Sequence, residues 1–403
     1  MTSFFNFDRL LKKGGDEMTR QSFDAIIIGS GTSAYYVADG LIKHNFNLAM
    51  IDERPYGGTC ALRGCQPKKY LVCNAEAVAM SRHLIGIGIN QAARTDWQAM
   101  QTLKNQFLKG RSRAEVKTWE ERGVATFSGR AIMNGPNEII VDNDHLFAKH
   151  IILATGATPR RTLIKGSEHV LDSEAFLDLN NLPDRIIFIG GGYISFEFAH
   201  VAIRAGAKQV SILHRSQSPL KTFDHDIVKT IIQASREEGI NIVLNETPVS
   251  VEVSVGIDPV ELKLTGATGA EYQADLIIEA TGRVPNLTVL ESGHGKVETG
   301  PHGVVVNDFL QSVSNPAVYA VGDCAAAGPM LATVADEQGK IVANNIIKGN
   351  KKTIDYSIIP SAVFTIPSIG SVGLTQEQAE LQKLYFRINK GETTRWPSSM
   401  RIG

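Results

Sequence analysis

Apolar residues fall along this chain in short unbroken runs, several of them followed within a few residues by glycine. "AIII" at Ala25–Ile28 is one such run. "RIIFI" from Arg185, "IIL" from Ile151, "LII" from Leu276 and "AVYAV" from Ala317 are others. Runs of three to five apolar, mostly β-branched residues predict short strands buried on both faces, as in parallel sheets. Behind the first and second of these, a Gly-rich turn leads into a predicted helix and then into a second strand, "NLAMID" and "KQVSILHR" respectively. Strand, turn, helix and strand, twice over, predict an α/β chain with two Rossmann-like units whose parallel sheets are covered by helices.

The turns carry the first chemical signal. Gly29 and Gly31 let the backbone bend sharply and approach a pyrophosphate, and Ala34 takes the third, small, helix-packing position. The helix start presents its partial positive charge to the phosphates. Asp52 ends the next strand, where a carboxylate can hold a ribose hydroxyl. Gly190, Gly192 and Ser195 repeat the pattern, but the strand after them ends in His214 and Arg215, with Lys221 close behind. A 2'-phosphate is attracted by such cations and repelled by an acid, which points to NADPH over NADH; the alternative is a merely solvated basic strand end. "ATG" closes two further strands, at Thr155–Gly156 and Thr281–Gly282, and permits close passage of backbone beside a nucleotide. Asp323, in a Gly-Asp turn before a last helix, is placed to accept from sugar-chain hydroxyls.

Charge and composition narrow the class. Lys+Arg 41 against Asp+Glu 42 leaves a net charge of -1, with no long run of either sign, which argues against nucleic-acid and membrane-surface partners. The best apolar stretch, "RIIFIGGGYISFEFAHVAI", is broken by glycines and carries Glu197, so no span is expected. Four cysteines are too few for a disulfide-stapled secreted scaffold, and a cytoplasmic setting is expected. For residues 1–17 three readings stay open: a short amphipathic arm, a weak targeting peptide, or untranslated codons ahead of Met18 as the native start.

Cys60 and Cys65 lie in "GGTCALRGCQPKK", just past the Asp52 strand. Gly57 and Gly58 give a closely approaching turn, and Thr59 is the expected helix N-cap. Five steps of an ideal helix rotate about 140° and rise about 7.5 Å, so an undistorted helix would keep the sulfurs apart. A distorted first turn, with Pro67 as a kink, would join them. A thiolate at a helix start is stabilised and suits thiol–disulfide exchange. Two buried free thiols or an inert disulfide are the plainer readings. Cys73 and Cys324 stand alone and are expected as small core hydrophobes.

"GGTC-x4-C-x-P-x-K" resembles the redox motif of the FAD-dependent pyridine nucleotide–disulfide oxidoreductases, the group of glutathione reductase, dihydrolipoamide dehydrogenase and mercuric reductase. The motif order from residue 22 to about 400 is similar too, through "ATGATP", "ATGRVPN", "VGD" and "IPSAVFTIPSIGSVGLT". The resemblance implies that Gly29, Gly31, Ala34, Asp52, Thr59, Thr155, Gly156 and Asp323 serve FAD. It places the nicotinamide nucleotide at Gly190, Gly192, Arg215, Lys221 and Gly282. Cys65 then faces the flavin and Cys60 attacks substrate, Lys68 and Glu197 form a flavin-facing pair, and Tyr193 covers the flavin. Residues 22–160 and 290–350 would form a split FAD domain around a nucleotide domain at 161–289, with an α+β interface domain beginning at 351 and residues 1–21 as an extension. A small disulfide substrate and a homodimer are implied.

Three departures qualify this. Asp39 stands where glutathione reductases carry a substrate-binding arginine, with Lys340 at a second carboxylate position, and Ala332 replaces an expected threonine. A mercuric reductase would need a further cysteine pair near its C-terminus. The family's closing His-Pro and Glu are not found before Gly403, since the last histidine is His302. The chain reads as truncated, expected to bind FAD yet to reduce disulfides poorly and to dimerise doubtfully; the alternative is a non-catalytic nucleotide-binding fragment.

Overall fold

The computed structural model describes residues 19–254 and 261–402, so the readings of the first 18 residues lie outside the described residues. Strand Thr19–Ile28 is central to a seven-stranded sheet. It pairs in parallel with Leu48–Asp52 on one side and Asp144–Leu153 on the other. Ala125–Ser128 and Val318–Ala320 extend the parallel part. Glu138–Val141 and Ala131–Gly135 run antiparallel, so the sheet is mixed where a parallel one was expected. The reason is local: Gly135–Pro136–Asn137, and Asp142 with φ 51°, make tight turns, and a tight turn joins only antiparallel neighbours.

The second sheet is parallel throughout, in the order Ile240–Leu244, Gln209–His214, Arg185–Ile189, Leu276–Glu279, Leu171–Asp172. A three-stranded antiparallel sheet lays Val251, Leu264 and Ala274 over one of its faces. Ala157–Pro159 and Arg283–Pro285 pair as a two-stranded ribbon, so the chain leaves the first unit and returns to it at one place.

Helices α1 (Thr32–Ile42), α2 (Gly58–Leu62), α3 (Cys65–His83), α4 (Trp97–Leu108) and α5 (Arg111–Glu121) belong to the first unit. Helices α6 (Ser173–Leu177), α7 (Tyr193–Arg204) and α8 (His225–Glu237) belong to the second, and α9 (Ala332–Lys348) returns to the first. Val37, Ala38 and Leu41 of α1 share a core with Val342 and Ala343 of α9. The two helices meet so closely that a Cβ on Gly339 would stand 2.5 Å from Ser33 O.

Leu71, Val72 and Ala75 of α3 join Trp97 and Met100 of α4 in the same core as Phe188, Phe196 and Val201 of the second unit. Each large side chain so buried contributes about 1.5–3 kcal/mol. The helix that Cys65 opens is therefore anchored across both units. Polar ties reinforce the joint: Trp97 Nε1 donates to Leu179 O at 2.9 Å, and the buried Lys104 ammonium donates to Leu177 O. Cys73 corrects an expectation, being exposed: α3 turns Val72 and Ala75 inward and Cys73 out. Cys324 is buried, its thiol donating to Leu153 O. Among the described residues no helix is long and apolar enough to cross a membrane.

Candidate functional site

The two Gly turns are built alike. Gly29 has φ +105°, and a Cβ there would stand 2.2 Å from Ala154 O. Gly190 has φ +116°, and its Cβ would stand 2.4 Å from Ala280 O. Ala154 and Ala280 are the alanines of the two Ala-Thr-Gly segments, so each such segment is the wall on which its Gly turn rests. Gly31 and Gly192 are the N-caps of α1 and α7 and supply no capping side chain, leaving the first helical N–H groups for an anionic ligand. Ala34 and Ser195 are fully buried at the third position. A Cβ on Gly156 (φ +67°) or Gly282 (φ +120°) would meet nothing within 4 Å, so conformation and open space beyond them explain the glycines.

Asp52 ends its strand and braces the first turn. Its Oδ2 accepts from the Ser30 N–H at 2.9 Å and from Ser30 Oγ at 2.6 Å, and Ser30 Oγ accepts from the Gly57 N–H at 2.9 Å. Ser30, which no motif singles out, thus links the acid to the cysteine loop. A Cβ on Gly58 would lie 2.4 Å from Gly31 Cα, so the loop rests flat on the start of α1.

Thr59 is not the N-cap: Gly57, at φ +123°, fills that place, and Thr59 lies within the first turn of α2. The Cys60–Cys65 segment is not one kinked helix either. It breaks at Gly64, between α2, which carries Cys60, and α3, which Cys65 begins. Pro67 sits buried in the first turn of α3, where its missing N–H costs no helical bond. The break lets the two thiols meet and share a hydrogen bond. That bond first, and then the Lys68 charge, hold Cys65 down to about 6 against the opposing effect of burial. The same bond, with burial, pushes Cys60 up, so the shared proton belongs to Cys60. The Asp336 carboxylate, which accepts from Thr32 Oγ1, and the Lys69 ammonium also act on Cys60.

Lys68 Nζ lies 2.7 Å from both oxygens of Glu197, joining the start of α3 to α7. Glu197 is 1% exposed, and its Oε1 also accepts the Phe364 N–H at 2.8 Å. Tyr193 opens α7. Although 42% of its surface is exposed, crowding around its hydroxyl first, then Glu197, push its pKa up, and Arg283, Asp323 and Cys65 act on it as well. Asp323 sits in a 3-10 turn. Burial pushes its carboxyl up and only the Arg283 charge opposes this. Cys65, Asp323 and the α7 residues Tyr193 and Glu197 thus come together from three separate stretches of chain.

At the second turn, His214 packs under Gly191 and bonds with Ser216 Oγ at 2.8 Å. Burial and then the charges of Lys221 and Arg215 keep its pKa low. Arg215 and Lys221 themselves are exposed at the strand end. Thr155 Oγ1 is turned away to donate to Asn286 O at 2.6 Å. The two positions of the glutathione comparison are both engaged. Asp39 pairs with Lys43 at 2.6 Å and Arg122 at 2.7 Å, and Lys340 pairs with Glu337 at 2.5 Å over the Tyr36 ring.

Comparison with known proteins agrees with this geometry. A family model described as pyridine nucleotide-disulphide oxidoreductase matches residues 23–339. A mercuric reductase of Lysinibacillus sphaericus is 33% identical over 368 residues, 90% of this chain and 67% of its own length. A dihydrolipoyl dehydrogenase of Chlamydia muridarum is 33% identical over 379 residues, covering 92% and 80%. The flavoprotein disulfide reductase RclA of Escherichia coli, solved as its Cu(II) complex, superposes with a TM-score of 0.79 at 25% identity, covering 90% of this chain and 79% of that one. The chain spans 57% to 67% of the mercuric reductases it matches. With the match running through both Gly turns and the cysteine pair and into the first half of α9, the chain belongs to the pyridine nucleotide-disulphide oxidoreductases.

Proposed function

We propose that this protein draws hydride from NADPH through FAD to the Cys60–Cys65 pair and reduces a low-molecular-weight disulfide. The observation that carries the reading is the pair of interacting thiols across the break between α2 and α3, with the more acidic one, Cys65, close to the Lys68–Glu197 pair. When bound, FAD supplies the two-electron step between a nicotinamide's hydride and a thiol pair. The residues present suit it. A turn that tolerates no Cβ leads to an uncapped helix start, and Asp323 is a half-buried carboxyl with no donor among the described residues. Gly29, Gly31, Asp52 and Asp323 would hold FAD. Gly190, Gly192 and Gly282 would hold the nicotinamide nucleotide, with Arg215 and Lys221 on its 2'-phosphate.

In the exchange, the Cys60 sulfur attacks one sulfur of the substrate disulfide, giving a mixed disulfide and one free thiol. The Cys65 thiolate then attacks the Cys60 sulfur, closes the Cys60–Cys65 bond and releases the second thiol. Two electrons leave the cysteine pair; one product thiol takes the proton of Cys60 and the other takes a proton from solvent. The engagement of Asp39 and Lys340 favours a substrate other than glutathione disulfide, and the same pair would serve a dihydrolipoamide- or mercuric-type member. We place the protein in the cytoplasm, where reduced thiols persist.

Anaerobic titration with NADPH tests the relay. A long-wavelength thiolate–flavin band is expected, and bleaching without that band would refute it. Cys65 is an acid whose folded pKa lies below its ordinary value of 9.0, so its charge stabilises the fold above that value and this contribution fades as pH falls through about 6. The band is therefore expected to hold at pH 8 and to titrate away near pH 6. For the nucleotide, kcat/KM should favour NADPH by about tenfold or more, the worth of one or two charge-assisted bonds. Arg215→Ala with Lys221→Ala should erase that ratio, and a wild-type preference for NADH would overturn the assignment.

A further inference from the structure

One face of α7 carries Glu197, His200 and Arg204, three and four residues apart and so stacked along the helix. All three are buried, at 1%, 0% and 6% exposure. The chain after strand Ser361–Val363 crosses this face and gives it two N–H groups. Phe364 N–H donates to Glu197 Oε1 at 2.8 Å, and Ile366 N–H donates to His200 Nδ1 at 3.2 Å. The Phe364 ring also lies beneath two ammoniums, 4.6 Å from Lys68 Nζ and 4.9 Å from Lys69 Nζ. One short segment thus touches both members of the Lys68–Glu197 pair.

The imidazole that receives this segment has a defined tautomer. Ser235 Oγ donates to Ile231 O at 2.6 Å, so toward His200 it accepts, and Nε2 must carry the proton across the 2.9 Å contact. Nδ1 is then a lone-pair acceptor. It takes the Ile366 N–H and, at 2.9 Å, Nη1 of Arg204. Arg204 Nη2 donates to Glu238 at 2.8 Å, and Glu238 also receives Arg82 of α3. Burial first, and then the Arg204 charge, hold His200 near 3, so the ring is neutral wherever the protein is folded near neutrality. A neutral, fully bonded ring with α8 on one side and the 364–366 segment on the other is a strut of fixed length.

We propose that His200 is a positioning residue for the redox relay: it fixes the 364–366 segment on α7, so that the Phe364 N–H and ring hold the Glu197–Lys68 pair in place. The proposal rests on the reading that this pair lies against the flavin. Without the acceptor at Nδ1, Ile366 lifts, the Phe364 N–H leaves Glu197 Oε1, and the carboxylate is free to turn about its bonds to Lys68. The flavin's surroundings change although no residue touching it has been replaced.

The test uses the FAD-loaded protein. His200→Leu keeps much of the volume and removes the acceptor, whereas His200→Asn puts an oxygen near the Nδ1 position. Amide hydrogen exchange at Phe364 and Ile366 is expected to speed up about tenfold in His200→Leu, the equivalent of one lost hydrogen bond. Its thiolate–flavin band should weaken and the flavin midpoint potential should shift, while His200→Asn restores all three toward wild type. A folded, FAD-loaded His200→Leu protein with wild-type exchange and a wild-type band overturns the proposal. Should that variant not fold, Ser235→Ala decides. It removes the partner of Nε2 and leaves α7 intact, and the same readouts must move in the same direction or the strut has no such role. A wild-type protein that takes up no FAD would sink the flavoprotein reading instead, while exchange at Phe364 and Ile366 still judges the strut.

Discussion

Replacing Cys65 with serine is expected to slow disulfide cleavage by the NADPH-reduced protein at least about 10³-fold, the scale felt when a reacting nucleophile is removed. It should also abolish the long-wavelength band, because a serine hydroxyl does not ionise at neutral pH. Cys60→Ser should cost as much cleavage but keep the band, since the Cys65 thiolate remains and a hydroxyl can still donate to it. Cys60→Ala separates two causes. The Cys60 hydrogen bond is the largest influence holding Cys65 low, ahead of the Lys68 charge, so its loss should move the band's titration upward from about 6. Stopped-flow mixing with cystamine, lipoamide and glutathione disulfide measures the first effect, and a pH titration of the reduced protein measures the second. A Cys60→Ala protein whose band still titrates near 6 would show that Lys68 and the helix start suffice alone. A Cys65→Ser protein that still cleaves disulfides at the wild-type rate would remove the pair from the reaction.

Much of this site was legible because its determinants are local. A glycine that must adopt φ near +105° or +116° leaves the same mark wherever it occurs, and the acid that ends strand Leu48–Asp52 sits at a fixed distance from it. The meaning of the Ala-Thr-Gly segments was legible only in part. That they carry the carbonyls against which the Gly turns press depends on a pairing between strands far apart in sequence. The break at Gly64 was hidden for a different reason. Cysteine, leucine and arginine are all compatible with helix, and the one local mark that α2 stops before the second thiol is Gly64 itself, which alone does not tell a helix end from a tolerated glycine. Thr59 shows the converse failure, a good capping side chain overridden by Gly57, whose positive φ brings the loop onto Gly31. His200 and Phe364 carry no motif at all, because their roles exist only once the 363–367 segment has returned across α7.

The largest effect on folding is expected at the paired turns, where Gly29→Ala and Gly190→Ala should each destabilise the protein by about 4 kcal/mol or more. At Gly29 the added methyl would stand 2.2 Å from Ala154 O and 2.7 Å from Ala154 C; at Gly190 it would stand 2.4 Å and 2.8 Å from the matching atoms of Ala280. These neighbours are backbone atoms of sheet-forming segments, so no side chain can swing aside. The positive φ adds strain even where room is made. A loss of that size lowers Tm by about 10 °C in a unit of this size. The two substitutions should differ in what they disable. The Gly29 wall belongs to the sheet proposed to hold FAD, so Gly29→Ala should lose bound flavin as well as stability. Gly190→Ala leaves that sheet untouched and should retain flavin that dithionite still reduces, while reduction by NADPH fails. Flavin absorbance after gel filtration, followed by anaerobic addition of each reductant, separates the outcomes. Flavin lost from Gly190→Ala and kept in Gly29→Ala would reverse the assignment of the two units.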